Sequence, residues 1–470
     1  MWTLASAGFI FLMQAGFALV ESGAVAKKNR SAMLIKNLYN VVVAGVAFWL
    51  SGYGLAFASP DYFVGSTKNL FASYGFESLA KDNYLQWILQ FAYCTVVVSA
   101  FQGSLAERTN LSAYVIISFL LAGFVYPIIL AWTWGQGWLF DKGFHDFAGS
   151  GIIHLVAGTT AFWGAWIVGE RRAKIRSREG NEVNRAEVNV KSAAVQNELN
   201  EFKSDFSQIA KKHFAGSSGE LKRNNTTFIV VGSLLIWASY FFFVGGRTMS
   251  QFNARANNSA KIIQNMFIAS SFSALTTLIV KPLALGVTRY TKFDALSLSN
   301  GALVGMVAVS AGVDRVENWG AVLIGTISAL CYIISILTLE FYRIDDPLET
   351  VSVHLAGGAW GLFAAGFFDT TSGALFYGAL SQGKFMGFQL VGIAVIFLFT
   401  SLIMFPAFFI MRKLHVLRAD KAVEEIGFDV ADIYPGVSEE FLQAVRDKIE
   451  AREEQEKKLH QFSHVQLSTL

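Results

Sequence analysis

Residues 146–158 read DFAGSGIIHLVAG, and residues 346–358 read DPLETVSVHLAGG. Each stretch opens on an aspartate (Asp146, Asp346), carries a histidine eight residues on (His154, His354) and continues Leu-x-x-Gly. The histidines are 200 positions apart (354 − 154) in otherwise apolar sequence. The pattern is that of one half of a molecule written twice. A histidine at the same place in each half would bring two imidazoles together where the halves meet.

The composition places that meeting in a membrane. The 470 residues are 53% hydrophobic and 16% charged, with 42 Phe, whereas a soluble domain is about 25% charged. Forty-one Gly against six Pro suit packed membrane helices, where small residues let backbones approach. A net charge of +3 is too small to suggest a nucleic-acid partner. Cys94 and Cys331 both fall in apolar segments and read as buried small residues.

A spanning helix needs about 20 mostly apolar residues. Eleven such segments are expected, near 2–20, 38–58, 85–105, 112–132, 149–168, 227–246, 261–280, 296–312, 321–339, 351–368 and 388–411. The fold class is thus an all-α polytopic membrane protein. Residues 1–411 form its membrane domain, with a cytoplasmic insert at 171–223, and 412–470 form a cytoplasmic C-terminal tail. The first 23 residues have no basic start and lead straight into the second span, unlike a cleavable signal.

Basic residues set the orientation. Lys27, Lys28 and Arg30 follow the first span, about a dozen Lys and Arg lie in 171–223, and Arg412 and Lys413 open the tail. The 59–84 loop, with Lys68 and Lys81, is poorer in basic residues. The N-terminus is therefore expected outside and the tail in the cytoplasm, as an odd number of spans requires. The Asn257 sequon then falls in an outer loop and the Asn224 sequon inside. In the insert, Val188, Val195, Leu199, Phe202, Phe206 and Ile209 predict one amphipathic helix. It rests on the protein or lipid headgroups, or binds a cytoplasmic partner. In the tail, Phe441, Leu442, Val445 and Ile449 predict one side of another helix.

Five spans per half, an odd number, make the second half run inverted, with an eleventh helix added at the end. Inverted repeats put the functional site near the midplane between the halves. A single intramembrane histidine is as readily an interior hydrogen-bonded residue as a functional one; the matched pair favours function. Two touching imidazoles share a proton, one nitrogen donating and the other accepting. Burial disfavours the imidazolium, so the pair is expected neutral. It can hydrogen-bond a small polar molecule or pass a proton, but it does not cheaply host a cation. Asp346, followed by Pro347, reads as a helix N-terminal carboxylate. Asp146 lies twelve residues after Trp134, in an aromatic run (WTWGQGWLF). That run reads as a cation-attracting cage or as interfacial belt aromatics.

These residues resemble the ammonium transporter, methylammonium permease and Rhesus superfamily. The resemblance runs from about Phe9 to Phe428. It is carried by FLMQAGFALVESGAVAKKN, SLAERTNLSA, DFAGSGIIHL, DDPLETVSVHLAGGAWG and, in the tail, EEIGFDVADI. It implies a homotrimer with a narrow apolar pore in each protomer. By resemblance His154 and His354 are the paired pore histidines. Trp134 caps the ammonium recruitment site, and Asp146 shapes that site without touching the ion. Tyr93 and Phe243 fall at the two gate positions. Two departures stand out. Where the family has a serine, this chain has Arg247, in Phe243-Val244-Gly245-Gly246-Arg247. Pointing into the vestibule, Arg247 would repel ammonium at about 4 Å by about 1–4 kcal/mol; snorkelling outward, it would have little effect. Glu349 stands where an aspartate is usual, and reads as a minor change.

The function expected is ammonium or ammonia transport across the cell membrane, with methylammonium a further substrate, without a cofactor. A sensor with weak transport, reporting through the 171–223 loop or the tail, and a Rhesus-type neutral ammonia channel are the alternatives. No metal-ligand spacing, phosphate loop or nucleophile with a base points to an enzyme. His213, His415, His460 and His464 read as solvated.

Overall fold

The computed structural model describes residues 1–57, 63–65, 71–78, 83–176, 225–250, 256–284, 294–377, 379–433 and 439–467. The insert helix expected across Val188 to Ile209, Lys68, Lys81, His213 and Asn224 lie outside them. Among the described residues nine helices are long and apolar enough to cross a membrane. These are α1 (Trp2–Ala24), α2 (Lys27–Phe57), α3 (Tyr84–Leu105), α4 (Leu111–Trp132), α5 (Ser150–Val168), α6 (Thr226–Thr248), α7 (Asn258–Ala284), α9 (Asn318–Phe341) and α11 (Gly383–Lys413). Two shorter apolar helices, α8 (Ala295–Val309) and α10 (Ser352–Phe368), fill the remaining expected positions. Two tail helices follow, α12 (Lys421–Ile426) and α13 (Glu439–Leu467). Cys94 and Cys331 are free thiols.

Three boundaries differ from expectation, for physical reasons. Helix α2 starts at Lys27 rather than near 38. Its polar first turns are buried in protein, with Lys36 donating to Thr109 O at 2.9 Å and Asn37 to Glu21 Oε2 at 2.6 Å; hydropathy reads such residues as loop. At 15 residues, α8 is only about 22 Å long. A turn continues it, in which Ser310 O and Ala311 O accept from Ala148 N and Phe147 N. The Asn257 sequon, expected in a loop, falls on the first turn of the helix that begins at Ala256.

The two halves meet through glycine. Helices α1 and α6 pack antiparallel: a Cβ on Gly16 would lie 2.9 Å from Gly232 O, and one on Gly232 would lie 2.6 Å from Gly16 O. Farther along, a Cβ on Gly23 would be 2.7 Å from Asn225 O. Helices α5 and α10 cross in the same reciprocal way. A Cβ on Gly158 would sit 2.1 Å from Leu355 N, and one on Gly358 would sit 2.8 Å from Leu155 N. Each of these glycines lies one turn after a histidine of the pair. Helix α5 starts beside Trp134, whose Nε1 donates to Asp146 O, and ends where Arg418 reaches Val168 O. Helix α10 starts at that second end, where Asp345 meets Arg171, and runs back to Asp369 beside Arg315. The two matched stretches therefore run in opposite directions.

At the tail end, buried charges lock the helix junctions together. Arg171 binds Asp345 Oδ2 at 2.7 Å and Glu107 Oε2 at 2.6 Å. Glu107 also accepts from Ala26 N and Asn29 Nδ2, and fully buried Arg108 donates to Ser104 O and Asp345 O. Burial pushes the Glu107 carboxyl up, but Arg171 and these donors hold it below the usual range. The motif SLAERTNLSA thus supplies a collar. The tail docks on it: Lys28 Nζ donates to Glu424 O and Glu425 O, and Asp429 accepts from Ser31 N and Ala32 N. Val445 and Ile449 of α13 pack on Ala422, with Phe441 and Leu442 alongside, on the side the periodicity predicts.

Gly158→Val should therefore abolish the folded state, because the added carbons meet backbone that cannot move aside. Its cost should exceed the about 1–3 kcal/mol of ordinary overpacking. Gly387, with open space around its Cβ direction, should accept alanine. Size-exclusion profiles and thermal unfolding in detergent check both; a monodisperse Gly158→Val protein of unchanged stability would refute the backbone crossing.

Candidate functional site

Both histidines sit in wide, π-helical turns, Ser150–Leu155 and Ser352–Ala356. Such turns add a residue to the helix and commonly mark functional positions. The aspartate that opens each stretch anchors the turn. Asp146 accepts from Gly149 N at 3.0 Å, Gly151 N at 2.8 Å and Ile152 N at 2.9 Å, with Gly149 in the left-handed region at φ +90°. Asp346 accepts from Val351 N at 2.7 Å. Burial pushes both carboxyls up, against the pull of these N–H donors, and Asp346 reaches about 7.

The turns bring the imidazoles into direct contact. His154 Nδ1 and His354 Nδ1 are 3.1 Å apart, with the rings 7° from parallel. Both side chains are buried. One proton lies between these nitrogens, so one histidine donates and the other accepts. A third group extends the chain: the Tyr240 hydroxyl is 3.0 Å from His154 Nε2. Such a chain has two registers. With Tyr240 donating, His154 carries its proton on Nδ1 and His354 on Nε2. With His154 Nε2 donating, every role is reversed. Beyond His354 lies a cavity of about 30 Å³, lined by Glu21, Ser99, Asn300 and Thr350 among others.

On the other side of the pair the path is aromatic. Phe243, one turn after Tyr240, is 6.0 Å from the His154 ring. Tyr93 meets Phe243 edge-on at 5.1 Å, and its hydroxyl donates to Phe243 O at 2.7 Å. Trp134 meets Tyr93 edge-on at 5.4 Å. The guanidinium carbon of Arg247 lies 3.9 Å from the Trp134 ring centroid, and Arg247 Nε donates to Phe147 O at 3.0 Å. Arg247 is 7% exposed, so it neither snorkels outward nor stands free in the vestibule; it lies on the ring.

The seven residues singled out from sequence thus form one line: Arg247, Trp134 and Asp146, then Tyr93 and Phe243, then His154 and His354. One reading changes. The Asp146 carboxylate is used by backbone N–H groups, and what Trp134 meets is the Asp146 carbonyl, at 2.6 Å; a carboxylate beside an aromatic cage does not describe it. Glu349 gathers polar partners at the start of α10: at φ 60° it binds Lys281 Nζ at 2.6 Å, Asn300 Nδ2 at 3.0 Å and the Tyr332 hydroxyl. Burial pushes the Glu349 carboxyl up, but Lys281 and these donors leave it below its usual value. Tyr240 escaped the sequence reading. The signal was its spacing, three residues before Phe243 on the same helix face.

Comparison with known proteins agrees with this architecture. The profile described as the Ammonium Transporter Family matches residues 1–193 and 208–435. The chain is 30% identical over 464 residues to "Ammonium transporter 1 member 3" of Solanum lycopersicum, covering 92% of this chain and 90% of that protein. It is 27% identical to "Ammonium transporter Amt2" of Archaeoglobus fulgidus, covering 92% and 86%. Among solved structures it is similar to one titled "Sensor Amt Protein", at 25% identity and a TM-score of 0.75, covering 92% and 97%. Candida albicans Mep2 shares the fold at 22% identity, with a TM-score of 0.69 over 89% and 86%.

Asp146→Ala should leave three buried N–H groups unpaired, each worth about 1–3 kcal/mol. Thermal unfolding in detergent should show a loss of several kcal/mol, with Asp146→Asn, which keeps one acceptor, intermediate. Equal stability of all three proteins would remove Asp146 as the anchor of the turn.

Proposed function

The chain belongs to the ammonium transporter family, and from that premise we propose that it passes ammonia, drawn from ammonium, through the His154–His354 centre. It is a multi-pass membrane protein. We read all eleven apolar helices as crossing the cell membrane, with the N-terminus outside and the 412–470 tail in the cytoplasm. A homotrimer and methylammonium as a second substrate complete the reading. The observation that carries it is the 3.1 Å contact between two buried imidazoles, one from each inverted half.

The physical argument is desolvation. A bare cation in a low-dielectric passage is prohibitively costly, so ammonium leaves its proton before the rings of Tyr93 and Phe243. Ammonia carries no charge and needs only a hydrogen-bond partner at the centre. The imidazoles supply it, since in either register a nitrogen of the chain accepts and another donates. Tyr240 acts through His154: its hydroxyl occupies His154 Nε2 until ammonia takes its place. Potassium has no proton to shed and is excluded.

A second reading, an ammonium sensor with weak transport, draws on the tail. Lys28, Asp429 and Glu424, the last accepting from Arg172 N, bind it to the helix ends below the His354 cavity. Ammonium-dependent signalling without uptake would favour that reading.

His154→Ala should lower uptake of labelled methylammonium by about tenfold or more, equivalent to about 1.4 kcal/mol of barrier. Unchanged rate and selectivity would refute the paired-histidine centre. Tyr240→Phe should change uptake in the parent chain but have no further effect in His154→Ala, because linked groups are not additive. Equal effects in both backgrounds would place Tyr240 outside the histidine chain.

A further inference from the structure

The face of Trp134 is the place at the mouth of this path where a cation would rest, since ring faces attract cations electrostatically. That face is covered. The Arg247 guanidinium lies 3.9 Å from its centroid, held from behind by the 3.0 Å bond from Nε to Phe147 O. Phe147 follows Asp146, whose carbonyl takes the Trp134 indole N–H, so ring and guanidinium are pinned by adjacent peptide units. Arg247 is also pinned by its own helix, four residues beyond Phe243 on α6. A tethered group acts at an effective concentration of about millimolar or more, and Arg247 does not lose its charge at working pH.

We propose that Arg247 is the resident cation of the Trp134 seat, so that the mouth turns ammonium away and the path takes up ammonia already neutral. A second cation on the same ring would stand about 4 Å from the guanidinium, and the repulsion lowers its affinity about tenfold or more. The seat is self-occupied, so ammonium sheds its proton in the outer solution rather than at Trp134. The inference rests on the ammonia-conducting reading, and it names the species that enters. Other titratable and charged groups near Arg247 are Tyr93, Tyr126, Asp146 and Asp314, the last paired with His145 at 2.9 Å and with Arg315. Uptake is therefore followed both against total methylammonium at fixed pH and against pH at fixed total.

The test uses the full chain in proteoliposomes with labelled methylammonium as probe. Wild type is compared with Arg247→Gln, which keeps an N–H donor near Phe147 O, and with Arg247→Ser; His154→Ala is the control for passage through the centre. Wild-type uptake should rise without saturating and should follow the neutral amine as pH rises. Both variants should saturate, with half-saturation at least about tenfold below any limit in the wild type. Wild-type uptake that saturates like the variants, or that follows the cation, overturns the proposal. The wild-type curves decide alone if neither variant folds. Absence of His154-dependent uptake in every chain would sink the conduction reading instead. Calorimetry in detergent then decides the seat: methylammonium binding by Arg247→Gln but not by wild type supports Arg247 as its occupant, and equal binding overturns it.

Discussion

Two helix backbones approach this closely only where one of the touching residues has no Cβ, and this molecule is built on such a touch. Gly158 and Gly358 each receive the other half's backbone one turn beyond the histidine of their own half. The reciprocity leaves little freedom. With the backbones in contact at Leu155 and Leu355, the two π-turns face one another and the imidazoles meet. Larger residues at these glycines would part the rings by more than a hydrogen bond spans. The contact between Gly16 and Gly232 repeats the arrangement for the first helix of each half.

Around that crossing, the buried charged groups named here find partners within the protein, because lipid offers none. Asp146 and Asp346 serve the backbone N–H groups that wide turns leave open. Glu107, Arg108, Arg171 and Asp345 join four helix junctions at one end. Lys281 and Glu349 join α7 to the start of α10. Buried ion pairs add little net stability compared with apolar packing, but they make alternative pairings costly. Their place here fits that role, since they fix which helix ends lie side by side.

Polarity falls from Arg247 to the Tyr93–Phe243 layer and rises again at the histidine centre and the cavity below His354. The mouth holds a guanidinium on an indole, the next layer is the Tyr93–Phe243 pair, and the centre is a hydrogen-bonded row of a phenol and two imidazoles. Within this line the Asp146 carboxylate is turned into its own helix, where it accepts from Gly149, Gly151 and Ile152 N–H.

Much of this is legible in the residues themselves. Long apolar runs specify a helical membrane protein, the repeated Asp, His and Gly at matched spacing specify two halves and the pairing of His154 with His354, and an odd number of spans per half specifies their inversion. The family resemblance, carried over residue by residue, also pointed to Trp134, Tyr93 and Phe243. Hydropathy misjudged the start of α2, since polar residues such as Lys36 are buried in protein there rather than exposed in a loop. Only the tertiary structure decided where freely rotating side chains point. Arg247 had two destinations open to it and lies on Trp134; Tyr240 looked like one aromatic among many and meets His154; Glu349 looked like a conservative change and gathers Lys281, Asn300 and Tyr332. The physical reason is that periodicity assigns a residue to a helix face. Which atom it touches depends on a neighbour brought in from a distant part of the chain.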